Sequence, residues 1–376
     1  MVEHKRDDFS SFKRIVIKLG TSSINYANGK TNLFQVECLV RQMADLANQG
    51  NEVVLVTSGA VGAGAGKLGV VRSKSIPLKQ ALAAVGQGVL MHIYEKLFAE
   101  YGLTVGQILL TREDFAERRR FLNARNTLHI LLRLGVIPII NENDTVAVDE
   151  LKLGDNDNLS ALVASLVDAE MLFLLSDVDG LYTADPRKDP HATLLHDVTE
   201  VSAAVENQAG GAGSEAGTGG MATKLQAAKV AMHSGVVTVI ANSNDRNIIR
   251  RIIGGEELGT VFWPLPHKFE KKKNWIAYCA AVCGRIHVDA GAARALTESG
   301  KSLLPSGITR VEGVFEIGNT VSMVDPQGQE IARGLTNYNS EEVERIKGLQ
   351  TSAIKNMLGH KDYNEVVHRN NLVINT

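Results

Sequence analysis

Six short runs of β-branched residues and leucine, each broken off by small polar residues, limit most strongly what this chain can fold into. They are RIVIKLGTS (14–22), EVVLVTSGA (52–60), LTVGQILLT (103–111), GVIPIINEND (135–144), MLFLLSDVDG (171–180) and VVTVIANSND (236–245). A strand that is apolar throughout must be covered on both faces. Helical patterns lie between the runs, among them FQVECLVRQMADLANQG with its terminal Gly50, and NLSALVASLVDAE. Strand and helix therefore alternate, which predicts an α/β domain: a doubly wound, mostly parallel sheet sandwiched by helices. With 44% hydrophobic but only 5% aromatic residues, its core is built from Val, Ile, Leu and Ala. Ligands of such sheets sit beyond the carboxyl ends of the strands, so the six polar tails are where chemistry is expected.

The pattern changes after residue 263. Two prolines and the run Lys271 to Lys273 in FWPLPHKFEKKKNW read as a linker over 267–274, separating a domain over 1–266 from a second over 275–376. The second has short alternating segments broken by glycine. They predict a small β-rich domain with one or two helices, one of them starting at SEEVERIKG with Ser340 as N-cap.

Bulk properties exclude several classes. The net charge is −2, and from residue 274 onward ten Lys and Arg face eleven Asp and Glu, a poor footprint for a nucleic-acid backbone. Cys38, Cys279 and Cys283 cannot form a disulfide framework and read as small buried hydrophobes. The ten histidines show no metal-ligating spacing, so no metal ligand is assigned. The N-terminus MVEHKRDDFSSFKR lacks an apolar signal core and no run approaches the ~18 apolar residues of a membrane span. A soluble cytoplasmic protein with no membrane partner is expected.

Glycine is concentrated. Of the 35 glycines, five lie between Gly59 and Gly69 and six between Gly210 and Gly220, which predicts two short loops of tight turns and close backbone approaches. Neither is a familiar nucleotide fingerprint. Gly64, Gly66 and Gly69 match G-x-G-x-x-G formally but do not follow a strand directly, and Leu68 after Lys67 excludes a P-loop. The second loop, TGGMATKLQAAKVAMHSG, runs into an alanine-rich helix, the form of a phosphate site. Lys18 closes the first apolar run, an unusual place for a lysine. Three Asx-rich clusters, Asn141–Asp144, Gly154–Asn158 and Ser176–Gly180, fall near strand ends or helix starts and suit an ammonium-bearing substrate or Mg²⁺.

Taken together, KLGTS, LVTSGAVGAG, NEND, GDNDNLSA, SDVDGLYTADPR and GTGGMATKLQAA closely resemble the amino acid kinase family, in particular its members that act on L-glutamate. HVDAGAARAL, SLLPSGI, GVFEIGNTVSM and IARGLTNYNS resemble the PUA domain appended to many of those enzymes. The resemblance implies the amino acid kinase fold followed by a PUA domain, and ATP-dependent phosphorylation of the L-glutamate side-chain carboxylate, the first step of proline biosynthesis. Carried over by motif, Lys18 and Lys224 flank the transferring phosphoryl group and Asp157 holds their ammonium groups. Ser58, Asp144 and Asn156 bind glutamate. Lys18, Ser176, Asp177 and the segment Thr218, Gly219, Gly220, Met221, Ala222, Thr223 and Lys224 bind ATP, with Mg²⁺ as its cation. The resemblance also implies that the first glycine-rich loop faces the amino acid and the second the nucleotide, together with feedback inhibition by proline and a homo-oligomer, dimer or tetramer. The alternative is an RNA-binding or RNA-modification protein acting through the PUA domain.

Overall fold

All six apolar runs are strands and all six are mutually parallel. The computed structural model describes residues 6–26, 30–70, 75–146, 156–202, 205, 220–265 and 271–374. β1 (Arg14–Leu19), β2 (Glu52–Thr57), β3 (Val105–Leu110), β4 (Ile137–Glu142), β5 (Met171–Ser176), β6 (Asp197–Val198), β7 (Val237–Asn242) and β8 (Thr260–Phe262) form one sheet, in the order β3-β4-β2-β1-β5-β7-β8-β6. Only β8 runs antiparallel to its neighbour β7. The chain builds outward from β1 on one side as β2, β4 and β3, then returns to its other side with β5 and β7. This reversal makes the carboxyl end of β1 the topological switch point, where a crevice must open.

The helices of this unit are α1 (Thr21–Ile24), α2 (Leu33–Asn48), α3 (Ala60–Leu68), α4 (Ile76–Ala99), α5 (Arg112–Ala116), α6 (Arg118–Arg133), α7 (Asn156–Leu166), α8 (Met221–Ser234) and α9 (Ile248–Ile253). Local chemistry sets their ends. Asn32 caps α2 by accepting from Gln35 N, and α8 stops at Gly235, whose φ of 81° belongs to the left-handed region. Aliphatic side chains from β1, β2, β5 and β7 pack against α2 and α4 in a core that includes Ile15, Ile17, Leu55, Phe173 and Val239.

The first glycine-rich segment is a helix rather than a loop. Gly59 is the N-cap of α3, Gly69 its C-cap, and the residues between are helical. Gly64 serves contact between helices: a Cβ on it would lie 1.9 Å from the Leu82 carbonyl oxygen, and one on Gly86 of α4 would lie 1.7 Å from the Ala60 carbonyl oxygen. The two backbones touch where ordinary side chains would hold them apart. The second segment, 207–217 with Thr218 and Gly219, lies outside the described residues.

The chain divides into two units, Met1–Asp114 with Arg119–Lys268, and Phe115–Arg118 with Phe269–Thr376. The second holds α10 (Lys271–Tyr278), β9 (Val282–Val288), α11 (Ala290–Thr297), β10 (Ile308–Gly313), β11 (Thr320–Val324), β12 (Glu330–Thr336), α12 (Ser340–Ile346), α13 (Ile354–Leu358) and β13 (Val367–Ile374). Its sheet runs β10-β9-β11-β12-β13, with β9 and β11 parallel and the other pairs antiparallel. The run Lys271 to Lys273, expected within a linker, opens α10, because Trp275 and Ile276 just beyond it are buried. The N-cap of α12 is Asn339 rather than Ser340, in a capping box with Glu342. The cysteines are not all buried either. Cys283 is exposed and Cys38 and Cys279 are half-buried, although local burial pushes the Cys279 thiol up to about 12.

Gly64→Ala or Gly86→Ala should lower unfolding free energy by about 1–3 kcal/mol or more, because the added methyl meets backbone. Gly66→Ala, whose methyl would meet nothing within 4 Å, should instead raise it by about 0.5–1 kcal/mol. Denaturant midpoints of the three variants check this; equal midpoints for Gly64→Ala and Gly66→Ala would contradict the close helix contact.

Candidate active site

One carboxylate gathers the strand ends. Asp157, in the first turn of α7, is fully buried. Lys18 Nζ lies 2.6 Å from its Oδ1 and Lys224 Nζ 3.1 Å from its Oδ2, and both lysines are themselves buried. Lys18 is the last residue but one of β1, in register with Val56 of β2 and Leu174 of β5, so strand geometry delivers it to the switch point. Lys224 is in the first turn and a half of α8. The Thr223 hydroxyl stands 3.0 Å from Asp157 Oδ2 and 2.8 Å from the Gly220 carbonyl oxygen, tying the two helix starts together.

These three side chains carry two positive charges and one negative. Each ion removed from water costs several kcal/mol, and among the described residues a single carboxylate pairs with both lysines, leaving one positive charge in surplus. The first turns of α7 and α8, which carry partial positive charge of their own, meet here through Asp157, Thr223 and Lys224. The whole arrangement is poised for an anion, and a phosphoryl group is the anion that ammonium groups and helix N-termini suit.

Beside it runs a chain of buried amides. Asn156, the residue before Asp157, places Nδ2 2.7 Å from the Thr57 carbonyl, 2.8 Å from Ser58 Oγ and 2.9 Å from Asn141 Oδ1, three acceptors sharing its two hydrogens. Asn141 donates to Gln87 Oε1 at 2.9 Å. Thr57 Oγ1 and the Tyr94 hydroxyl are 2.8 Å apart, and burial pushes the Tyr94 phenol up to about 12, so it remains a neutral hydrogen-bonding group. Ser58 and Asn156 are thus brought together, one residue from the lysine cluster. Asp144 lies two residues beyond β4, half-buried in the turn.

On the far side of β1, Ser176 closes β5. Its backbone carbonyl accepts from Ser243 N at 2.7 Å, while Asp177 is exposed and accepts from Ser22 Oγ at 3.2 Å. Gly220 caps α8, and Met221, Ala222 and Thr223 form its first turn. Thr218 and Gly219 fall outside the described residues. Sequence reasoning placed Asn141 in one of the three Asx-rich clusters but missed Thr57, Gln87 and Tyr94 as site residues. A glutamine between two glycines in an apolar helix, AVGQGVL, was the available signal.

The chain belongs to the amino acid kinase family, whose model matches residues 13–242, and a PUA domain model matches residues 284–358. Within that family it goes with the glutamate 5-kinases. It is 56% identical to glutamate 5-kinase from Moorella thermoacetica over 97% of both chains, and 56% identical to that from Caldanaerobacter subterraneus over 96% of this chain and 97% of the relative. Glutamate 5-kinase from Carboxydothermus hydrogenoformans is 52% identical over 98% of this chain and 99% of the relative.

Asp157→Asn would leave two buried ammonium groups facing a neutral amide. It should lower unfolding free energy by about 3–5 kcal/mol, read from denaturant unfolding. An unchanged midpoint would contradict the role of this carboxylate as shared counterion.

Proposed function

We propose that this chain phosphorylates the side-chain carboxylate of L-glutamate with ATP, giving L-glutamyl 5-phosphate, the first step of proline biosynthesis. The observation that carries the reading is the buried Lys18–Asp157–Lys224 cluster with its surplus positive charge. A glutamate carboxylate has a reference pKa of about 4.3 and is already an anionic nucleophile at pH 7, so no general base is needed. One carboxylate oxygen forms a bond to the γ-phosphorus, the bond from phosphorus to the β,γ-bridging oxygen breaks, and the electron pair leaves with ADP. The obstacle is repulsion between anions, and phosphoryl transfer is catalysed chiefly by positioning and charge neutralisation. Lys18 and Lys224, held by Asp157, would flank the transferring group, with the amide N–H groups at the start of α8 on the nucleotide side. Ser58 and Asn156, fixed by the amide chain, and Asp144 would hold glutamate. Ser176, Asp177 and the segment from Thr218 to Lys224 would hold ATP.

Mg²⁺ belongs to the same reading. Both oxygens of Asp157 face lysines, and among the described residues no group of three or more His, Cys, Asp or Glu could hold an ion. These residues fit a cation that arrives on the nucleotide's phosphates and adds to their neutralisation, rather than one held in a protein cage. The reading also includes inhibition by proline, a cytoplasmic location, and self-association, which exposed Ile76 and Val85 on α4 support. The division into a kinase domain over 1–266 and a PUA domain over 275–376 belongs to it as well. An RNA-directed activity is not favoured: the charge balance after residue 274 argues against it.

Purified protein should release ADP when given ATP, Mg²⁺ and glutamate. Release with aspartate or a nucleoside monophosphate but not glutamate would overturn the reading. Lys224→Ala should lower kcat by about two orders of magnitude or more, since it removes charge stabilisation from the transition state; unchanged turnover would show that Lys224 does not touch the transferring group.

A further inference from the structure

Two backbone groups fix which way the buried amides point. Glu142 N–H can only donate, so the Asn141 atom it meets at 2.9 Å is Oδ1. The Thr57 carbonyl can only accept, so the Asn156 atom 2.7 Å away is Nδ2. Asn141 Oδ1 then also accepts from Asn156, and Asn141 Nδ2 must donate to Gln87, which meets it with Oε1 at 2.9 Å. Flipping any one amide would set donor against donor or acceptor against acceptor. The polarity of the chain is therefore settled from both ends.

Its far terminus is a donor without a partner among the described residues. Gln87 is only 8% exposed, and its Nε2 has no hydrogen-bond partner among the described residues. Buried donors are almost always satisfied, and an orphan calls for a specific reason. The surroundings hold Gln87 in place. Gly86 beside it lets α4 lie against α3, and Tyr94, seven residues on and on the same helix face, meets Thr57 at the end of β2. Ser58 Oγ accepts from Asn156 and so keeps its own proton to donate. Among the described residues, the network that holds these strand ends thus leaves two donors unspent, the Ser58 hydroxyl and the Gln87 carboxamide.

We propose that Gln87 is a substrate-binding residue, whose Nε2 donates a hydrogen bond to a carboxylate oxygen of the bound amino acid. The assignment rests on glutamate being the substrate. A dicarboxylic amino acid offers two acceptor-only carboxylates, and a neutral donor fixed at its neighbouring atom recognises one without adding a competing charge to the lysine cluster.

Gln87→Glu separates this role from a merely positioning one. It keeps an oxygen to accept from Asn141 but replaces the donor with a carboxylate oxygen. The KM for glutamate should rise about 10- to 100-fold, with the KM for ATP unchanged and a folded protein by thermal melting. Gln87→Met, apolar and similar in size, covers the event that a buried carboxylate does not fold, and its KM for glutamate should rise at least tenfold. A wild-type KM for glutamate in Gln87→Glu, when Gln87→Met is impaired, would mean that Gln87 only orients Asn141 and would overturn the assignment. Unchanged KM in Gln87→Met, or equal rises in both KM values, would overturn it too. These outcomes presuppose wild-type ADP release with glutamate; its absence would overturn the functional reading itself, and this assignment with it.

Discussion

Two buried ammonium groups sharing one buried carboxylate are the constraint on which the rest of the catalytic unit depends. Charge of this kind is tolerated only where geometry is fixed and the imbalance has a purpose. Lys18 is fixed because β1 lies between β2 and β5 in a sheet covered on both faces. Asp157 and Lys224 are fixed because α7 and α8 start side by side, joined through Thr223. The parallel sheet, the switch point and the helix starts together position one surplus positive charge at the place where an anionic group would be transferred between two other anions.

The second dependence is steric. α4 reaches the strand ends only because Gly64 and Gly86 let it lie against α3 backbone to backbone. Once there it presents Gln87 and Tyr94, seven residues apart, to the ends of β4 and β2. Packing of helices distant from the phosphoryl chemistry in this way sets the orientation of Asn156, and Asn156 is adjacent in sequence to the carboxylate that holds both lysines. In the proposed reading, substrate recognition and charge placement are two ends of one network.

The strands were legible in the sequence because a strand covered on both faces has to be apolar at every position, and no helix of this chain imitates that. Lys18 was legible for the same reason, as a charge where the pattern permits none. Asp157 looked like one of many turn-forming Asx residues, and only the resemblance to a family singled it out. The glycine-rich segment from Gly59 to Gly69 was misread as a loop because sequence does not say what glycine leaves room for. A ligand and a neighbouring helix require the same missing Cβ, and at Gly64 it is the helix. Gln87 and its link to Asn141 stayed hidden because a hydrogen-bond network between residues more than fifty positions apart leaves no local pattern.

The account is tested most directly by binding of a transition-state mimic, ADP with planar aluminium fluoride in the presence of glutamate, to the wild-type protein and to Lys224→Met. If the surplus charge serves the transferring phosphoryl group, the wild type binds the mimic far more tightly than ADP alone, and the variant loses most of that preference while its affinity for ADP changes little. Equal weakening of ADP and of the mimic would contradict it, placing the charge on nucleotide binding instead of on the transfer.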